Sequence, residues 1–165
     1  MLEAVGSDLL RAGARLAGHA TLTDVRAFKL DAECKVVPDG DQRLGFDFDF
    51  NVYDAEITDG KFTAACGCAV ELYLVGDDES LLEPRTDLGE IHVVFGALYE
   101  VREPDSGPFT ADEVHAFSET SVRMTIYPYV RALVADLTSR LGLPHLTLPP
   151  VKIALPAPSS PGDTG

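Results

Sequence analysis

From Leu143 to Ile153 the chain reads Leu-Pro-His-Leu-Thr-Leu-Pro-Pro-Val-Lys-Ile. Its prolines bar this run from a helix, because proline lacks an amide proton and clashes with the preceding turn. A stretch this apolar must lie extended over another apolar surface. Just before it, Ile126, Val130, Leu133, Leu137 and Leu141 recur at steps of three and four, the mark of one helical face. A helix feeding straight into an extended strap demands one long hydrophobic surface beneath both.

Upstream, the period changes from helical to alternating. Leu44, Phe46, Phe48, Phe50 and Val52 fall on one side of a strand, and Gly45, Asp47, Asp49 and Asn51 on the other. Further strands are predicted from Ala20 to Val37, from Phe62 to Val75 and from about Glu90 to Arg102. Turn signals separate them at Pro38-Asp39-Gly40, Thr58-Asp59-Gly60 and Gly76-Asp77-Asp78-Glu79. The first strand, interrupted or bulged, is expected to carry Leu22, Phe28, Leu30 and Val36 on one side. The last is apolar on both faces around Val94 and Leu98, as befits a strand touched from each side.

Helical spacing from Leu2 to Leu16 predicts a short amphipathic helix over 2–17, weakened by Gly6 and Gly13. Thr110-Ala111-Asp112-Glu113 reads as a capping box opening a short helix to about Glu119. The main helix is expected from about Ser121 to Leu141, stopped by Gly142 and Pro144, with Pro128 kinking it or marking its first turn. Residues 156–165 have the composition of a disordered tail. Strands first and helices last predict one α+β domain over 1–155: a four-stranded antiparallel sheet with C-terminal helices packed on one face.

Thirteen Lys plus Arg against 27 Asp plus Glu give a net charge of -14. Such a surface repels phosphate backbones and anionic lipid, which argues against nucleic-acid and membrane partners and suits solubility or a basic protein partner. No apolar run is long enough to span a membrane. The N-terminus lacks the basic flank and apolar core of a signal peptide, so a cytoplasmic protein is expected. Cys66-Gly67-Cys68 is too tightly spaced for a zinc knuckle and has no second half; with Cys34 it is expected to be reduced and structural, both strand thiols facing one way.

Catalytic constellations are missing. Asp47 and Asp49 lie on a wet strand face, ~7 Å apart at two residues' rise, with nothing nearby to split their pKa values. His19, His92, His115 and His145 are scattered; no Gly-x-Ser-x-Gly elbow or phosphate loop appears. No enzyme, metal or cofactor is expected. A small-molecule carrier would need convergent polar groups in an enclosed pocket, and the sequence offers no such cluster. Apolar surface is what remains, more than a thin sheet can cover, which predicts self-association or a bound partner. Whether Phe48 and Phe50 pack under the helices or face that partner stays open at this level.

Tyr127-Pro128-Tyr129-Val130-Arg131, followed by Leu143-Pro144-x-Leu146-x-Leu148-x-Pro150-Val151, resembles the closing motif of SecB-type export chaperones. Phe46-Asp47-Phe48-Asp49 resembles the family's second strand, and Val75-Gly76-Asp77-Asp78 its acidic turn. The chain departs from the family at Ala132, at Lys152-Ile153 and in the ending after them, and it adds the helix at 2–17. Such drift resembles divergent SecB-like chaperones, some of which shield an unstable antitoxin.

The resemblance implies an ATP-independent holdase, a homotetramer built as a dimer of dimers, that binds unfolded polypeptide in apolar grooves. By residue match Leu44, Phe46, Phe48 and Leu143 would line such a groove, with Met124 and Tyr127 added from the helix side. Asp77 and Asp78 match a turn that docks the SecA motor; Asp31 and Glu33 join them on charge alone.

Overall fold

A computed structural model describes residues 7–38, 43–75 and 85–151. Helix α1 (Ser7–Ala17) precedes strands β1 (Ala20–Cys34), β2 (Arg43–Thr58), β3 (Lys61–Val75) and β4 (Asp87–Val101). Helix α2 (Ala111–Phe117), a π turn (Ser118–Val122) and helix α3 (Arg123–Arg140) follow. The strands pair antiparallel in the order β1-β4-β3-β2, with helices on one face, the expected α+β architecture. β1 and β2, successive in the chain, therefore form opposite edges of the sheet.

Alternation builds the core. Phe62, Cys66, Val70 and Leu72 of β3, with Ile91, Val93, Phe95 and Tyr99 of β4, are buried on the helix side. Phe117 closes over this layer, edge-on to Phe62 at 5.0 Å and to Tyr99 at 5.2 Å. Cys66 and Cys68 face the same way, buried as small core residues. Asp59 and Gly60 join β2 to β3 with φ of 52° and 70°, the pair of positive angles that a two-residue type I′ hairpin needs.

β1 departs from expectation. Register shifts between Leu22 and Asp24 and between Ala27 and Lys29 are bulges. They leave Leu22 and Leu30 opposite Tyr99 and Val93 on the helix side, whereas Phe28 lies across the other face over Gly96. A Cβ at position 96 would sit 2.0 Å from that ring, so any other residue there would displace Phe28 from this face. The single apolar side expected of β1 is thus split between two faces, and Val36 lies beyond the strand's end. All four side chains are exposed in the protomer.

The capping box forms as expected, with the Thr110 hydroxyl accepting from the Glu113 amide and the Glu113 carboxylate accepting from the Thr110 amide. No break separates the two helices. The backbone stays helical through the π turn, where Ser118 and Thr120 donate back to the carbonyls of Val114 and Ala116. Pro128 sits inside α3, past its first turn. The buried seam of α3 runs Ile126, Val130, Val134 and Thr138, while Leu133, Leu137 and Leu141 flank it half-buried. The seam steps strictly by four because the strap returns along this side.

α3 ends in a Schellman motif: Gly142, at φ 72°, donates to Ser139, and Leu143 donates to Thr138. The chain then doubles back extended, with the Leu146 amide on the Thr138 hydroxyl at 3.3 Å and Leu146 and Leu148 buried. Helix α1 packs on α2, so closely at Gly13 that a Cβ would stand 2.9 Å from the Phe117 nitrogen. The helix-weakening glycine is what lets α1 dock. Residues 2–6 of that predicted helix, and the predicted tail at 156–165, lie outside the described residues.

Candidate functional site

β2 carries its aromatic row along an edge of the sheet, and the strap runs beside it. Phe48 and Phe50 stack at 6.2 Å, and Tyr127 of α3 meets them edge-on at 6.0 and 5.9 Å. The Tyr127 hydroxyl donates to the carbonyl of Pro149 in the strap. One turn on, Arg131 Nε donates to the Leu148 carbonyl at 2.8 Å. The helix thus fastens the strap with two polar side chains while its apolar seam fills the space below.

The six expected groove residues divide into two sets. Leu44, Phe46 and Phe48 are half-buried on β2, and Met124 is half-buried on α3, so all four keep surface toward solvent. Tyr127 is only 3% exposed and Leu143 only 5%. In the protomer neither offers the open surface expected of it: Tyr127 is covered by Phe48, Phe50 and Pro149, and Leu143 by its place in the helix stop. Phe50, 2% exposed, is likewise core. The row therefore does both jobs left open above, anchoring at Phe50 and staying accessible toward Leu44.

Arg123 escaped the sequence reading. Leaving the π turn, it donates to the Phe50 carbonyl on the edge strand, lies 5.5 Å from the Phe50 ring and pairs with Glu119 at 3.3 Å. No pattern announces this role, because the π turn sets where Arg123 points.

Asp31 and Glu33 lie on the opposite face of the sheet, in register with His92 and Glu90. Glu33, Glu90, Glu71 and Asp47 are successive cross-strand neighbours, one on each of β1, β4, β3 and β2. Arg85 offsets part of this charge, reaching Asp47 at 2.8 Å, Asp87 at 3.0 Å and Glu71 at 3.2 Å while stacking on Tyr73. Asp77 and Asp78 lie outside the described residues.

Burial pushes the Cys66 and Cys68 thiols up to about 12, so both stay protonated at neutral pH. Among the described residues no three His, Cys, Asp or Glu side chains converge as metal ligands, and no helix is long and apolar enough to cross a membrane. The arrangement offers chemistry of contact: an apolar edge, half open, rimmed by charge.

No family model matches the chain. It is 35% identical over 164 residues to "SecB-like chaperone Rv1957" and to "SecB-like chaperone MT2006", from two strains of Mycobacterium tuberculosis; the match covers 94% of this chain and 89% of each relative. Among solved structures it is similar to the Mycobacterium tuberculosis Rv1957 SecB-like chaperone in complex with a ChAD peptide from the Rv1956 HigA1 antitoxin. That likeness has a TM-score of 0.73 at 30% identity, over 86% of this chain and 98% of the other. With this identity running almost end to end and the sheet, helix and strap in place, the chain belongs to the SecB-like chaperone family.

Proposed function

We propose that the chain is an ATP-independent holdase whose dedicated client is an antitoxin of a toxin–antitoxin system, held along the β2 edge. One observation carries this reading: the relative at 0.73 TM-score is bound to an antitoxin peptide, and this chain keeps the half-open row Leu44, Phe46 and Phe48. A client's apolar side chains would bury against that row and Met124, while the acidic surround keeps the complex soluble. General export is the second reading. In that case a basic motor such as SecA would dock on the acidic far face at Asp31 and Glu33, with Asp77 and Asp78.

The working form is a homotetramer in the cytoplasm, a dimer of dimers. Leu22, Phe28, Leu30 and Tyr129 support this, since a lone protomer leaves them exposed. Light scattering on a sizing column tests it: a clean monomer at micromolar concentration would remove the support.

Peptide titration tests the client. The ChAD peptide of HigA1 and an unfolded protein without an antitoxin segment are compared on the wild type and on Phe46→Ser. The reading expects tighter binding of the antitoxin peptide and weakening by Phe46→Ser. Equal affinity for both would favour a general holdase, and no binding of either would end the proposal.

A further inference from the structure

We propose that the strap continues past Val151 into a cleft at the end of β2, seating Ile153 and Leu155 there, and that an extended client must displace this stretch to run past Phe50. The displacement rests on the holdase reading; the seat does not. The cleft, of about 790 Å³, opens between the last residues of β2, α2 and the π turn. Val52, Ala55, Ile57, Phe109 and Val114 give it apolar walls, each half-buried in the protomer. Apolar side chains left half-open together are a surface that wants a cover.

Helix α3 aims the strap at this cleft. Thr138 holds the Leu146 amide, Arg131 the Leu148 carbonyl and Tyr127 the Pro149 carbonyl, so the strap runs toward the start of α3. Val151 is still half-buried against the core. Two extended residues carry it ~7 Å past Pro149, level with Arg123, one helical turn before Tyr127. Ser118 and Glu119, one turn further, line the cleft. Arg123 adds an independent sign. It is the next step of four after Arg131 and Tyr127, each of which donates to a strap carbonyl. Its own Nε is buried and has no hydrogen-bond partner among the described residues. Leaving such a donor unpaired is costly, and a carbonyl just past Val151 would continue the series. The sequence supplies the cover. Val151, Ile153 and Leu155 alternate, so in an extended chain they share one face, and Val151 already turns that face to the core. Ile153 and Leu155 then fall ~7 and ~13 Å beyond Val151, within reach of the apolar walls.

Crosslinking tests the seat without any client. In the full chain carrying Cys34→Ser, the pair Ala55→Cys and Ile153→Cys is treated with a short bis-maleimide. Cys66 and Cys68 are buried and stay protonated, so they do not compete for it. A link within one chain is expected; Thr147→Cys, exposed on the strap before it reaches Arg123, should give none with Ala55→Cys. Fluorescence anisotropy with the ChAD peptide of HigA1 then compares the wild type with Ile153→Asp/Leu155→Asp. Carboxylates are disfavoured in the apolar cleft, so the strap should leave it and the variant should bind about threefold to tenfold tighter. No link within the chain, or a link only between chains, overturns the seat. A link within the chain with unchanged or weaker peptide binding by the variant overturns the displacement. If neither protein binds the peptide, the holdase reading and the displacement fall together, while the crosslink still judges the seat.

Discussion

The Tyr127 hydroxyl donates to the Pro149 carbonyl while its ring stands edge-on to Phe48, so one side chain joins the strap to the aromatic row of β2. Proline 149 has no amide to offer a neighbouring strand, and its carbonyl finds its partner in a helix side chain instead. Tyr127→Phe keeps the ring and removes the link. A loss of ~1 kcal/mol in stability is expected, with weaker client binding as the strap loosens. Denaturant melts and peptide titration on the same sample check both. An unchanged midpoint would mean the carbonyl is satisfied by water.

The sequence pairs Phe46 and Leu143 as expected groove walls, and their burial separates their expected behaviour. Phe46→Ser should cost up to ~1–3 kcal/mol in client binding with little change in melting temperature, because the side chain is half-open in the folded protomer. Leu143→Ser should lower stability by ~2–4 kcal/mol, because it empties a buried site at the Schellman stop. Client affinity and melting temperature measured together decide it. If both substitutions move both quantities equally, wall and support are not distinct.

The legible parts of this fold are those set by local chemistry. The alternation of β2, the Thr110–Glu113 box and the Gly142 stop each follow from residues a few positions apart. The faces of β1 do not, because its bulges depend on how the strand pairs with β4, which no short window contains. The seam of α3 likewise shifts from Leu133 to Val134 because the strap lies on that side. Within the candidate site, the row on β2 is legible, but Tyr127 is buried only once the strap closes over it. Arg123 carries no signal at all, since the π turn aims it.

The acidic row across the sheet predicts a salt effect. Glu90 stands between Glu33 and Glu71, with the Lys35 ammonium at 3.9 Å and the His92 ring at 3.4 Å. Like charges directly opposite across strands repel, and these are exposed and weakly offset. Glu90→Gln should raise stability by ~0.5 kcal/mol at low ionic strength, and the gain should vanish in high salt as screening removes the repulsion it relieves. Urea melts at two salt concentrations measure it. A destabilised variant at low salt would show that Lys35 and His92 outweigh the row.

Acid should loosen helix α1 through Glu113. Arg15 grips that carboxylate at 2.5 and 2.7 Å, and the Thr110 amide adds a further donor. The hydrogen bond from Arg15, then that from Thr110, lowers the Glu113 carboxyl from 4.5 to about 2. A folded-state value below the unfolded one means the ionised form stabilises the fold. The contribution is complete above pH 4.5 and disappears as the pH falls toward 2. Gln at this position keeps the shape and the acceptor for Thr110 but cannot ionise. Glu113→Gln should therefore melt below the wild type at neutral pH, and the gap should close as the pH falls from 4.5 toward 2. Taking the difference between the two proteins cancels the other carboxylates, which titrate in both. Circular dichroism melts across that range give the curve, and a gap independent of pH would sink the assignment of Glu113 as the acid-sensitive tie of α1.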